Sequence, residues 1–330
     1  YTIQQTATGE WNPYTYNTFF NGSSWGLSSN DSLIGQVLDN VPENIDAFSL
    51  EANTIRHHNV AFSTNDGGNV SQVGNFTADE IIQTHNGQNN ASFNLSSASG
   101  GVILNENINA ITTLSSGEIL FSLNTASSIA FTAGISQGGI PFNATNEDII
   151  LWDGNTFSLY YDGSALGLSD DVTVDHNINA LHGFSNGNIL LSTVDAGTIA
   201  GSFSSTGTAF NFGNEDILVF DPLANNYSLY FDGSTNGIND ITIAVTLDLT
   251  VLGIPVADVN VDIAVFDFVI DATHVTEDGN ILFSMTEQIN ILENTSVTVT
   301  LPLIGDVTLN SLNEILTAAG TTIDALLQGI

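Results

Sequence analysis

Cysteine is absent from these 330 residues, and Arg56 is the only Lys or Arg against 36 Asp and Glu. Without thiols there is no disulfide framework and no thiolate chemistry. Without basic side chains nothing displaces counterions from a phosphate backbone, so DNA and RNA are excluded as partners. The same shortage excludes docking on an anionic membrane surface. No run approaches the roughly 20 apolar residues of a spanning helix, so membrane insertion is not expected.

What remains is acidic, apolar and rich in amides. The formal net charge is −35, hydrophobic residues make up 42% and the mean hydropathy is +0.16, which together describe a folded chain rather than a disordered one. Carboxylates with almost no basic partners must be solvated, protonated, hydrogen-bonded to main-chain N–H groups or bound to cations. With 38 Asn and abundant Ser, Thr and Gly, the composition reads as that of an extracellular or cell-surface protein. The polar start YTIQQTATGEW is expected to be that of a mature, exported chain. Nine Asn-x-Ser/Thr sequons are near chance in such a composition.

The chain repeats itself. One phrase occurs as NIDAF (Asn44 to Phe48), NINAI (Asn107 to Ile111), NINAL (Asn177 to Leu181) and VIDAT (Val269 to Thr273). A second follows as NVAFST, GEILFS, GNILLST and GNILFS. A third is DEII, NEDIIL, NEDILVF and LNEIL, and a fourth is the aromatic SLYYDGS or SLYFDGS. The first phrase recurs at spacings of 63, 70 and 92 residues, from Asp46 to Asn109, Asn179 and Asp271. Each unit holds four short apolar runs bounded by Gly, Asn, Asp and Ser, with Asn-Gly or Asp-Gly between phrases one and two. Four antiparallel strands per unit, unable to cover their own faces, must stack on copies of themselves. The expected fold class is all-β and propeller-like, with about four blades.

The string INALHGFSNGNILLST, followed by DILVFDPLANNYSLY, resembles the propeller repeats of bacterial two-component sensor ectodomains, most clearly over residues 107–234. The resemblance implies a blade-like unit and carries no sensor function with it. The chain departs from that family in having Leu190 and Leu282 where a Trp is usual, and in an insert of roughly 20 residues between strands two and three. The frame of DGSALGL and DGSTNGI reappears near the start as FFNGSSWGL (Phe19 to Leu27), while the last unit lacks a clear fourth phrase. An N-terminal strand completing the last unit would use both halves and remove an exposed edge.

Residues 1–240 therefore read as the repeat body, 241–310 as an amphipathic strand insert holding the last unit (269–290), and 311–330 as a C-terminal segment of helices or one strand. In 241–270 apolar residues alternate: Ile241, Ile243, Val245, Leu247, then Val259, Val261, Ile263 and Val265. SVTVTLPLIGDVTL (Ser296 to Leu309) repeats the pattern, and the pieces are expected to form one extra amphipathic β-sheet. Long apolar edges are either covered or used for strand addition.

Little points to catalysis. GISQG (Gly134 to Gly138) fits G-x-S-x-G, but no helix pattern follows the Ser. His182 and His274 occupy matching places in units three and four, where units one and two have Ser49 and Thr112, so a complete His ring is missing and packed histidines are expected. The equivalent Asp46, Asn109, Asn179 and Asp271 are candidate ligands for a hard cation such as calcium, should the first strands line a channel. Asp162 and Asp232 in the DGS phrases read as turn chemistry first. Tyr160, Tyr161, Tyr230, Phe231 and Trp25 either stack on sugars or fill the space between units. The resulting expectation is a non-enzymatic extracellular structural protein that assembles with copies of itself through its C-terminal strands into a filament, layer or matrix. The alternative is a binding module for a glycan or for calcium.

Overall fold

Turn residues cut the chain into short antiparallel strands. Gly117 and Gly187 both sit at φ +90°, a conformation glycine reaches without cost, and each closes the hairpin between phrases one and two. Gly187 N donates to Phe184 O and Phe184 N to Asn188 O. The computed structural model describes residues 2–3, 45–50, 60–65, 67–70, 72–85, 88–104, 106–125, 128–168, 176–236, 238, 241–247, 259–276, 280–291, 297–301 and 305–309.

Among these residues four sheets have four strands each. The first sheet holds Ile45–Leu50, Val60–Thr64, Glu80–His85 and Gln88–Asn94 in sequence order. The second holds Asn107–Thr113, Ile119–Asn124, Ile149–Trp152 and Phe157–Tyr161. The third repeats this with Ile178–Gly183, Ile189–Thr193, Ile217–Asp221 and Asn226–Phe231. In the last, Val259–Val275 and Ile281–Ile291 lie between Ile241–Leu247 on one side and Thr2–Ile3 on the other. Thr2 is opposite Leu282, and Ile3 opposite Ile281. The insert between strands two and three is a small hairpin in each of the first three units: Gly68–Val70 with Gly74–Phe76, Ile129–Phe131 with Phe142–Ala144, and Gly197–Ile199 with Phe210–Phe212. The fold is all-β and propeller-like.

Sheets meet through apolar faces and through one repeated main-chain clamp. Ala61, Ile81 and Phe93 of the first sheet share a core with Ile108, Ile111 and Phe121 of the second. Ala110, Leu120 and Tyr161 of the second share another with Leu181, Leu191 and Tyr227 of the third. Phe231 of the third and Phe283 of the last have ring centres 6.2 Å apart. Leu282 of the last sheet returns to the first, packing with Val60, Phe62 and Ile82. Each fully buried large side chain contributes about 1.5–3 kcal/mol.

The clamp holds one isoleucine per junction at both its main-chain groups. Ile108 N donates to Ala78 O at 3.1 Å, and its carbonyl accepts Ser63 Oγ at 2.8 Å. Ile178 N donates to Asn146 O, and its carbonyl accepts Ser122 Oγ. Ile270 N donates to Asn214 O, and its carbonyl accepts Ser192 Oγ. The corresponding hydroxyl of the last sheet, Ser284 Oγ, is buried without a hydrogen-bond partner.

Two compact units divide the chain: Tyr1–Ile238 with Val269–Thr286, and Asn239–Phe268 with Glu287–Ile330. In the second, the expectation of one amphipathic sheet is corrected. Val297–Leu301 pairs with Gly305–Leu309 as a separate two-stranded sheet, apart from the Ile241–Leu247 hairpin. The physical reason is local: each strand's ladder is taken up by its nearest neighbour in sequence, Leu301 opposite Gly305 and Val297 opposite Leu309. FFNGSSWGL and the segment 311–330 lie outside the described residues.

Removing the Ser192 hydroxyl takes away the side-chain donor of the buried Ile270 carbonyl, and Ser192→Ala is expected to cost about 1–3 kcal/mol of unfolding free energy in urea titrations. Ser122→Ala is expected to cost less, because Ile178 O keeps Asn109 Nδ2 as a donor. Ser284→Ala, which breaks no bond, is expected to stay within about 0.5 kcal/mol of the parent chain.

Candidate functional site

The first strand of each of the first three sheets carries a β-bulge at the same place. Register passes from Ile108↔Leu123 to Ala110↔Ser122 and from Ile178↔Thr193 to Ala180↔Ser192, leaving Asn109 and Asn179 as the extra residues. It passes from Ile45↔Thr64 to Ala47↔Ser63 around Asp46. A bulge re-aims a side chain, and here it joins neighbouring units. Asn109 Nδ2 lies 2.7 Å from Asn179 Oδ1, 2.8 Å from Ile178 O and 3.0 Å from Asn177 Oδ1, donating toward all three. Asn179 Nδ2 donates to Asp271 Oδ1 at 3.2 Å. Asn109, Asn179 and Asp271 are all buried. Three of the four sequence-predicted ligands thus form one hydrogen-bonded chain of constant direction. The side chain of Asp46 lies outside the described residues. Among those residues no group of three or more His, Cys, Asp or Glu could hold a metal ion.

Three residues beyond Asn179 and Asp271 come His182 and His274. Their rings are 4.6 Å apart at 81°, and Phe184 lies 4.9 Å from His182. Burial lowers the pKa of His182 to about 4, and burial together with His182 lowers that of His274 to about 3. Both are therefore neutral at neutral pH. His182 Nδ1 is buried and has no hydrogen-bond partner. On the neighbouring first strand, at the same position, Thr112 Oγ1 accepts Gly183 N at 3.3 Å.

The DGS phrases are turn chemistry. Asp162 Oδ1 accepts Ala165 N and Ser164 Oγ, and Asp232 Oδ1 accepts Thr235 N and Ser234 Oγ. The glycine that follows is required by close approach. A Cβ on Gly163 would lie 2.2 Å from Glu147 O, and one on Gly233 2.3 Å from Glu215 O. Each glycine N–H donates to a buried carboxylate, Asp148 or Asp216. Burial pushes both of these acids above the usual carboxylate range, against the main-chain donors that pull them down. Burial also opposes ionisation of Asp79, but hydrogen bonds from Ser96 and Thr77 outweigh it and hold that carboxyl low.

The remaining candidates are structural. Ser136 of the G-x-S-x-G string is buried, and its hydroxyl is directed at Phe131 O and Thr132 O. Tyr161 and Tyr227 are buried and meet through their hydroxyls, and Phe231 is buried against Phe283. Tyr160, 37% exposed, is open to solvent, and Trp25 lies outside the described residues. Sequence reasoning missed the clamp serines, although Ser63, Ser122, Ser192 and Ser284 recur at one place in the second phrase.

Neutral buried histidines link stability to pH with a definite sign. Their folded pKa values lie below the unfolded value of about 6.5, so the stability they confer is complete above that pH and is lost as pH falls toward 4. Between pH 7 and 5 the unfolding free energy should drop by about 2 kcal/mol for each histidine. His182→Gln or His274→Gln should remove that share of the slope in urea titrations across the range. Asp148 and Asp216, raised in the folded state, act with the opposite sign, so the difference between parent and variant is the informative quantity.

No protein-family model matches the sequence, and no curated protein matches it. Solved structures do. The streptogramin B lyase structure is 11% identical over 77% of this chain and 85% of that one, with a TM-score of 0.31. Virginiamycin B lyase from Staphylococcus aureus is 12% identical over 74% of this chain and 70% of that one, with a TM-score of 0.27. The extracellular domain of a hybrid two-component system from B. thetaiotaomicron is 12% identical over 75% of this chain, which spans 38% of that one, with a TM-score of 0.28. That last group is the one whose repeats the sequence resembles. Among the described residues no helix is long and apolar enough to cross a membrane. At these scores the likenesses carry no argument about activity, and the propeller-like class rests on the chain's own repeated sheets.

Proposed function

We propose that the chain is a non-enzymatic extracellular structural protein whose copies join through the hairpin that precedes its last repeat. One observation carries this reading: the register of that hairpin sorts its residues by polarity. Ile241 is opposite Phe266, Ile243 opposite Ala264, Val245 opposite Val261 and Leu247 opposite Val259. The intervening pairs are Thr242–Val265, Ala244–Asp262 and Thr246–Asn260. Cross-strand partners share a face, so one face is apolar throughout. Ile241–Leu247 is also the outermost strand of its sheet. An outermost strand presents main-chain groups to which a second chain can add. The separate hairpin has the same character, pairing Val297 with Leu309 and Val299 with Val307 while Thr298 meets Thr308.

Light scattering behind size exclusion is expected to show particles larger than one chain. Ile243→Lys with Val245→Lys should return the mass to a monomer while circular dichroism of the repeat body is unchanged. A parent chain that stays monomeric at every concentration would overturn the proposal.

A second reading, a module binding calcium or a glycan, is favoured by the Asn109–Asn179–Asp271 chain, which gathers amide and carboxylate oxygens from three units. A native-state ligand raises the melting midpoint. Added calcium should raise it and a chelator should reverse the change. No shift with calcium or across a glycan panel removes this reading.

A further inference from the structure

We infer that His182 and His274 form a binding site for a divalent first-row transition ion such as zinc, nickel or copper. The inference is independent of how copies of the chain associate. The strand of His182 is tied to that of His274 by Asn179 Nδ2 to Asp271 Oδ1 at 3.2 Å, and its hairpin partner is tied there too, by Ser192 Oγ to Ile270 O at 2.7 Å. Each histidine lies three residues beyond the equivalent Asn179 or Asp271 of its repeat. A metal-bound imidazole nitrogen lies about 2.0–2.1 Å from its ion. Ring centres 4.6 Å apart are a separation that two imidazoles on one ion can have.

A second observation points to a missing partner. His182 is 8% exposed, and its Nδ1 has no hydrogen bond. A buried imidazole nitrogen left unpaired costs free energy that a coordinated ion would recover. Imidazole selects borderline ions over calcium or magnesium, which take oxygen. The net charge of −35 raises the local concentration of any cation.

The test uses the full chain carrying His57→Ala and His58→Ala, which removes the only adjacent histidine pair in the sequence. Calorimetric titration with zinc should show one ion per chain, undisturbed by excess calcium. The electron paramagnetic resonance spectrum of bound copper should show coupling to two imidazole nitrogens. His182→Gln or His274→Gln should each weaken zinc binding by about tenfold or more. Unchanged affinity in both variants, displacement by calcium, or a copper spectrum with oxygen ligands alone would overturn the site. Where a Gln variant fails to fold, the copper spectrum of the parent chain decides by itself.

Discussion

One isoleucine per junction, held at both its main-chain groups by the preceding sheet, is the constraint on which the rest depends. A bulge sets two residues of one strand against one of its partner, so the bulged strand loses regular ladder bonds there. Buried main-chain groups cannot be left unpaired without a cost of kcal/mol size. Beside the bulges at Ile108 and Ile178, and at the matching Ile270, the neighbouring sheet supplies a carbonyl from the turn before its third strand for the N–H and a serine hydroxyl for the C=O. Apolar faces press the sheets together without direction, whereas the clamp fixes their register. It also places Asn109 and Asn179 where their amides reach the next unit.

An acidic chain with one Arg meets a second constraint, because its carboxylates cannot be neutralised by ion pairs. The described acids take main-chain N–H and hydroxyl donors instead. Asp148 and Asp216 tie the start of the third strand to the turn after the fourth, accepting from Gly163 and Gly233 across 15 and 17 residues. Asp153, Asp162, Asp221 and Asp232 each accept main-chain donors two or three residues ahead. Charge is thereby converted into turn geometry. The aromatic phrase occurs twice for that reason: its Tyr161 and Phe231 fill the junctions, its Asp closes the turn, and its Gly allows a close backbone approach.

Strands and hairpins were legible because alternation and turn residues act locally. INALHG and ILLST became adjacent strands closed at Gly187, and the matching positions Asn109, Asn179 and Asp271 met as their equivalence implied. The bulge was not legible. Asn-Ile-Asn-Ala is compatible with simple alternation, and only cross-strand register shows that Asn109 stands outside it. The clamp serines were visible as a constant letter without a visible partner, since each partner lies 45 to 78 residues away in the chain. The piece 297–309 was misassigned because its apolar alternation matches that of 241–247, and alternation does not say which strand pairs with which.

In a repeat whose main-chain contacts recur, side chains that change at a constant position are the informative ones. The position after the bulge by three is Thr112 in the second sheet, where its hydroxyl serves the backbone of Gly183, and His in the next two. The residue at the equivalent place in the first phrase is Asp46 in the first sheet, Asn in the second and third, and Asp271 in the last. The second-strand serine is engaged at three junctions and unpaired in the last sheet, although Leu282 beside it still packs on the first sheet. At the place of Thr112, histidine is confined to the third and last sheets, whereas the first two carry hydroxyls, Ser49 and Thr112. Imidazoles and a carboxylate cost more to bury than the Thr and Asn they replace. Their presence on the first-phrase strands of those two sheets is a cost that strand pairing alone does not require.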